Sequence, residues 1–184
     1  MVKSAGSHQY AIGKKEEMLF ETEIKVVSKE EILEALAEVM DPEIPTLSVI
    51  DLGMIGEIVI EDDAATVNLI PTFTACPAIK LLQQQIKEKI LSLGFEKVQV
   101  VKDNSITWNT DRLTESGKKK LEQFGLGIPK RHCGNFSLED IEHTNCPHCG
   151  SGNTTMNSLF GSTLCRSIHY CFDCRQSFER FKPL

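Results

Sequence analysis

No run of apolar residues in this 184-residue sequence approaches the roughly 20 needed to cross a bilayer as a helix, so no membrane-spanning segment is expected. The stretch from Met1 to Phe20 is polar and has no apolar centre, which predicts that it is not a secretory signal. Excess positive charge is also lacking. Twenty Lys and Arg stand against 26 Asp and Glu, a net charge of −6, and no basic stripe is interleaved with aromatics, which argues against nucleic acid as a partner. Three signs of an enzyme are missing as well: a nucleophile–His–acid constellation, a phosphate-cradling glycine loop, and a metal site with an open position. The expectation is a protein that is not an enzyme. Without export, the seven cysteines are expected in a reducing, cytoplasmic compartment, where they read as metal ligands or functional thiols rather than disulfides.

What is present is globular in composition, 41% hydrophobic and 25% charged, and the length suits one ordinary domain plus something small. Residues 1–22 mix Gly, Ser, Lys and Glu without periodicity and are expected to be a loose tail. Ser28 with Glu31 forms a capping-box pattern, and Ile32, Leu33, Leu36, Val39 and Met40 give the buried stripe of a first helix. Asp41-Pro-Glu43-Ile-Pro45 ends it, because a proline disfavours helix at the residue before it. A strand is expected at about 57–60, a turn at 61–64 and a second strand over 66–70, together an antiparallel hairpin. A second helix is predicted from Pro77 to about Leu93, capped by Gly94, and a third strand from Phe95 to Val101, with Val98 and Val100 on one face. A short third helix spans 114–124, and Trp108 reads as a packing anchor. The order α-β-β-α-β predicts a small α+β domain over 23–124, helices on a three-stranded sheet, with 125–145 as a linker.

Two stretches bear chemistry. In Thr72-Phe-Thr-Ala-Cys76-Pro-Ala78 a strand turns into a helix, with Cys76 expected at the cap and Pro77 at the first helical position. A cysteine there faces unpaired N–H groups and the positive end of the helix dipole, which favour thiolate. The alternative is a buried cysteine serving as a small hydrophobe. From residue 146 to 184, Cys146-Pro-His-Cys149 and Cys171-Phe-Asp-Cys174 form two knuckles, each able to aim two sulfurs at one point. Together they complete a four-thiolate zinc site, and metal is what lets so short and apolar-poor a segment fold. Two thioredoxin-like redox motifs are the weaker alternative, because neither Cys-x-x-Cys follows a βαβ pattern.

Asp41-Pro-Glu-Ile-Pro45, Ser48-Val-Ile-Asp51-Leu-Gly53-Met54 and Thr74-Ala-Cys76-Pro-Ala78 together resemble the iron–sulfur assembly domain of the MIP/SufT type. Trp108-Asn-Thr-Asp111 through Gly117, the two knuckles, Phe160-Gly-Ser-Thr163-x-Cys165 and Phe181-Lys182 are similar to the PaaD (PaaJ) family of phenylacetate-degradation proteins. The resemblance covers about residues 28–184. It implies an accessory protein of the phenylacetyl-CoA ring epoxidase system, in which a di-iron oxygenase is served by a reductase bearing an iron–sulfur cluster. The family is needed for activity, stands outside the catalytic complex, and is understood to mature or deliver a metal centre. The implied partners, met transiently, are the epoxidase subunits or their iron–sulfur reductase.

By the same resemblance Cys76 is the reactive or metal-contacting thiol, with Asp41, Glu43 and Asp51 as signature residues near it. Cys146, Cys149, Cys171 and Cys174 are the ligands of one structural zinc. Transient iron or an iron–sulfur cluster is the cargo. Asp41 and Glu43 could hold a cation or simply solvate a proline-rich turn, and Asp51, in an apolar stretch, needs a partner for its charge. Thr72 and Thr74 could present hydroxyls to a ligand. His148 and His169 could replace a thiolate, although four cysteines already fill the site. Cys165 reads as a spare buried thiol before a ligand exchanged during transfer, and Cys133 receives no role. The basic residues of the ribbon, Arg166, Arg175, Arg180 and Lys182, read as a solvated face. No second ligand for a metal at Cys76 is evident within its motif, which suggests one from another subunit, for example by homo-oligomerisation. The rival reading is a non-catalytic zinc-ribbon adaptor that binds partner proteins without handling metal.

Overall fold

A computed structural model describes residues 27–128, 142 and 144–182. The tail at 1–22, Cys133 and most of the predicted linker lie outside the described residues. Helix α1 (Lys29–Leu36) opens on the anticipated capping box: the Glu31 N–H donates to Ser28 Oγ at 3.2 Å, and the Ser28 N–H donates to Glu31 Oε2 at 2.9 Å. It ends four residues before Met40, where the sequence pattern would have carried it. Backbone groups there find distant partners instead: Val49 N–H donates to the Val39 carbonyl at 2.9 Å, Asp41 N–H to the Leu47 carbonyl at 2.8 Å, and Met40 bridges Ser48.

Strands β1 (Ile55–Glu61) and β2 (Ala64–Leu69) form the antiparallel hairpin, turned at Asp62 in the left-handed region (φ 48°). Helix α2 (Ile79–Leu91) returns the chain so that β3 (Lys97–Lys102) pairs parallel with β2, giving the order β1-β2-β3. Alternation along β2 sends Ala65, Val67 and Leu69 into the core, where they meet Leu82, Ile86 and Ile90 at helical spacing. Burial of that face is what drives this layer together.

A 3-10 turn (Thr110–Arg112) and α3 (Glu115–Gln123) follow. Gly53 lets the turn pack: its φ is +60°, and an added Cβ would stand 2.2 Å from the Arg112 carbonyl oxygen. The C-terminal part is a second sheet, β4 (Thr154–Ser158), β5 (Arg166–Cys171) and β6 (Ser177–Phe181), antiparallel in that order. It docks on the first. Gly127 N–H donates to the Glu179 carbonyl at 2.9 Å and Phe181 N–H to the Gly127 carbonyl at 3.2 Å. Phe181 belongs to the main apolar core, edge-on to Trp108 at 5.6 Å between ring centres. Trp108 is the expected anchor, its indole N–H donating to the Leu52 carbonyl at 2.7 Å.

Candidate metal centre and cleft

The two knuckles converge. The sulfurs of Cys146, Cys149, Cys171 and Cys174 lie within 4.8 Å of one another, with Cys146–Cys174 and Cys149–Cys171 each 3.6 Å apart. Sulfurs bound about 2.3 Å from one ion at tetrahedral corners sit about 3.8 Å apart, so the spacing suits a zinc ion shared by the four. Burial and the neighbouring thiols push Cys174 up to about 12, while the backbone N–H groups of Cys174 and Asp173 bring Cys171 down to about 7. Four sulfurs this close cannot all ionise unless a cation shares them, which is the charge pattern of a metal knot.

The knuckles are tied by a residue the sequence pattern did not single out. Asp173 accepts from Ser151 Oγ at 2.5 Å and from Asn153 Nδ2 at 2.7 Å, so the second knuckle grips the first through side chains as well as metal. Neither histidine joins the sulfur cluster. His148 stands edge-on to Phe178, and His169 stacks on it at 5.5 Å. His169 is fully buried beside Arg180, which with burial lowers it to about 4, and its Nε2 pairs with Ser167 Oγ at 2.9 Å.

Cys76 lies elsewhere, in a cleft of about 400 Å³, open solvent included, lined in part by Asp41, Glu43, Thr72 and Pro77. The structure corrects its expected position: the N-cap of α2 is Ala78, and Cys76 precedes a turn in which Ile79 N–H reaches the Cys76 carbonyl at 3.4 Å. Its ionisation is corrected too. Burial raises the thiol above its ordinary value; the N–H groups of Ala78 and Ile79 pull it down, but the Glu43 and Asp41 carboxylates oppose them. Burial and the facing carboxylates thus favour the thiol form, against the thiolate that the helix start was expected to favour.

The Asp41 carboxylate shapes this wall by accepting from the N–H groups of Glu43 (2.8 Å) and Ile44 (2.9 Å). Burial, then the nearby Asp41 charge, raises Glu43, against the pull of Arg166 and of a hydrogen bond from Thr163. Asp51, expected nearby, is not among the residues lining the cleft. Its carboxylate pairs with Lys120 Nζ at 2.6 Å and accepts from the Ser48 N–H (3.1 Å) and Oγ (2.9 Å), which answers the buried charge. Thr74 contributes its carbonyl, to Lys102 Nζ at 2.7 Å.

The opposite wall comes from the ribbon. Leu164, Cys165 and Phe181 line the same cleft as Cys76. Arg166, almost fully buried, clamps the two halves: Nη2 donates to the Glu43 carbonyl at 2.7 Å and Nη1 to Glu179 Oε2 at 2.9 Å. The sequence pattern placed Arg166 on a solvated face and Cys165 as a spare thiol. The only hint was Thr163-x-Cys165 in the motif, since no local period relates residues 76 and 165.

Over 152 residues the chain is 36% identical to an Escherichia coli (strain K12) protein provisionally named as a component of 1,2-phenylacetyl-CoA epoxidase, covering 83% of this chain and 91% of that one. The chain belongs to the PaaD family. Residues 131–182 match the PaaD zinc beta ribbon domain, and residues 29–102 match the model described as iron-sulfur cluster assembly protein. A second relative, the Fe-S protein maturation auxiliary factor of Porphyromonas gingivalis (strain ATCC BAA-308 / W83), is 31% identical over 96 residues, 51% of this chain and 90% of that protein. Among solved structures, a conserved hypothetical protein from Thermotoga maritima is 29% identical with a TM-score of 0.46, over 54% of this chain and 96% of that one.

Proposed function

We propose that this PaaD-family chain is an accessory factor of aerobic phenylacetate catabolism. It brings the phenylacetyl-CoA ring-epoxidising oxygenase to its active form by maturing or delivering an iron or iron–sulfur centre handled at Cys76. The observation that supports this reading is a cysteine and two carboxylates on one cleft, in a chain related both to a named epoxidase component and to an Fe-S protein maturation factor. Cys146, Cys149, Cys171 and Cys174 hold one structural zinc, which supplies the cross-link that folds the ribbon. Iron is cargo, bound weakly enough at the cleft to leave, and the clients are the epoxidase subunits or their iron–sulfur reductase. The role is not enzymatic.

One observation favours the rival adaptor reading: a raised thiol value is what a cysteine used only for packing would have. The two readings separate in a deletion strain complemented with Cys76→Ala. Loss of ring-epoxidising activity at unchanged protein level and one zinc per chain is expected. Full restoration of activity would sink the delivery reading and leave the adaptor.

A further inference from the structure

We propose that the ribbon is a zinc-held cover over Cys76, latched by Arg166, so that access to the thiol follows the state of the four-cysteine knot. This deepens the proposed function and rests on its reading of Cys146, Cys149, Cys171 and Cys174 as one zinc site. A single strand pair links the two places. Strand β5 begins at Arg166 and ends at Cys171, about 17 Å away at the usual rise per residue. Its register with β6 sets Arg166 opposite Phe181 at one end and Tyr170 opposite Ser177, close after Cys174, at the other. Leu164, Cys165 and Phe181, all at the Arg166 end, form the wall that faces Cys76.

The Arg166 end is built as a latch. Besides the Glu43 carbonyl and Glu179 Oε2, the buried guanidinium donates from Nη1 to Ser162 Oγ at 3.2 Å. Glu179 also accepts from the Ser162 N–H at 2.6 Å, and the Gly161 N–H donates to the Arg166 carbonyl at 2.9 Å, which folds residues 161–166 around the ion pair. A Cβ at Gly161 would stand 2.6 Å from Glu179 Oε1, so the loop closes this tightly only with glycine. The knot end has little to hold it besides metal. Its apolar cluster is Cys146, Cys171 and Cys174 with Phe178, so every member but Phe178 is a zinc ligand. Zinc binds the folded ribbon in preference to the unfolded one and stabilises the β5–β6 pair by mass action. Without it that pair is the weakest of the described elements and opens before the first sheet does. Opening moves Leu164, Cys165 and Phe181 off the cleft, while Cys76 stays packed on the core of the first sheet and its helices.

The test uses the full-length chain, reduced and anaerobic. It reads the rate at which iodoacetamide alkylates Cys76, resolved by peptide mapping, beside the zinc content. Zinc-loaded wild type should react slowly. Arg166→Gln, still holding one zinc, should react about tenfold faster, the effect of losing charge-assisted hydrogen bonds. Loss of a nearby cation would by itself disfavour thiolate and slow the reaction, so acceleration reads access. Stripping zinc from wild type with a chelator should speed Cys76 at least as much with the helical circular dichroism signal kept, and returning zinc should slow it again. An Arg166→Gln variant that holds zinc and reacts at the wild-type rate overturns the inference, as does a Cys76 rate indifferent to zinc. Exposure that arrives only with loss of the helical signal overturns it too, because zinc would then hold the whole chain rather than a cover. If Arg166→Gln loses its zinc, the stripped and restored wild type decides. A wild type that takes up no zinc overturns the zinc site and the cover together, whereas full activity of Cys76→Ala discards delivery and leaves the cover standing.

Discussion

Asp51 shows how a single side chain can belong to a signature and still serve the fold. Burial works against its charge, but Lys120 and the two Ser48 donors outweigh it and hold the carboxyl below its ordinary value. The sign of the consequence follows from linkage. A folded-state value below the unfolded one, about 3.9, gives stability that is complete above about pH 4 and is lost as pH falls through the depressed value. Asp51→Asn should remove that acid-side slope. It should also lower stability near neutral pH by about 1–2 kcal/mol, a figure reduced for solvent screening because the Lys120 side chain is 36% exposed. Urea unfolding of both proteins from pH 3 to pH 7 measures both effects; parallel curves would mean that the pair contributes nothing.

Helices and strands followed their local signals wherever local partners sufficed. The capping box began α1 as written, and Ser28→Ala should cost about 1 kcal/mol in urea unfolding because the Glu31 N–H loses its side-chain acceptor. Where distant partners competed, boundaries moved. Helix α1 stopped early because residues 39–41 bond to 47–49, and α2 began at Ile79 because the Cys76-Pro-Ala turn has its own hydrogen bond. The three ribbon strands have a different dependence. Their small cluster of Cys146, Cys171 and Phe178 is too slight to hold a sheet unaided, so β4–β6 depend on the thiol knot and on docking.

That docking joins the two sheets into one core, so a zinc held by the four cysteines would stabilise the whole described chain. Trp108 is the single tryptophan of the sequence and is buried against Phe181 at the end of β6. Stripping zinc with a tight chelator should therefore shift Trp108 emission to the red along with loss of ribbon strand signal in circular dichroism. Unchanged emission after complete zinc removal would mean that β6 stays docked without its metal. The same docking forms the cleft, since one wall carries Asp41, Glu43 and Cys76 and the other carries Cys165.

The hairpin, the helix faces, the paired knuckles and the motif around Cys76 were all written in the sequence, because each rests on spacings of a few residues that dictate local geometry. The meeting of Cys165 with Cys76, the Lys120 partner of Asp51 and the clamp of Arg166 on the Glu43 backbone were not. Those pairs are 89, 69 and 123 positions apart, and no local spacing brings them together: Lys120 and Arg166 reach their partners, and Cys165 comes to line the cleft of Cys76, only in the folded chain. The Cys76 thiol shows the same division: its N–H donors are neighbours in sequence, but burial and the facing carboxylates, which the folded cleft supplies, set the sign of its shift.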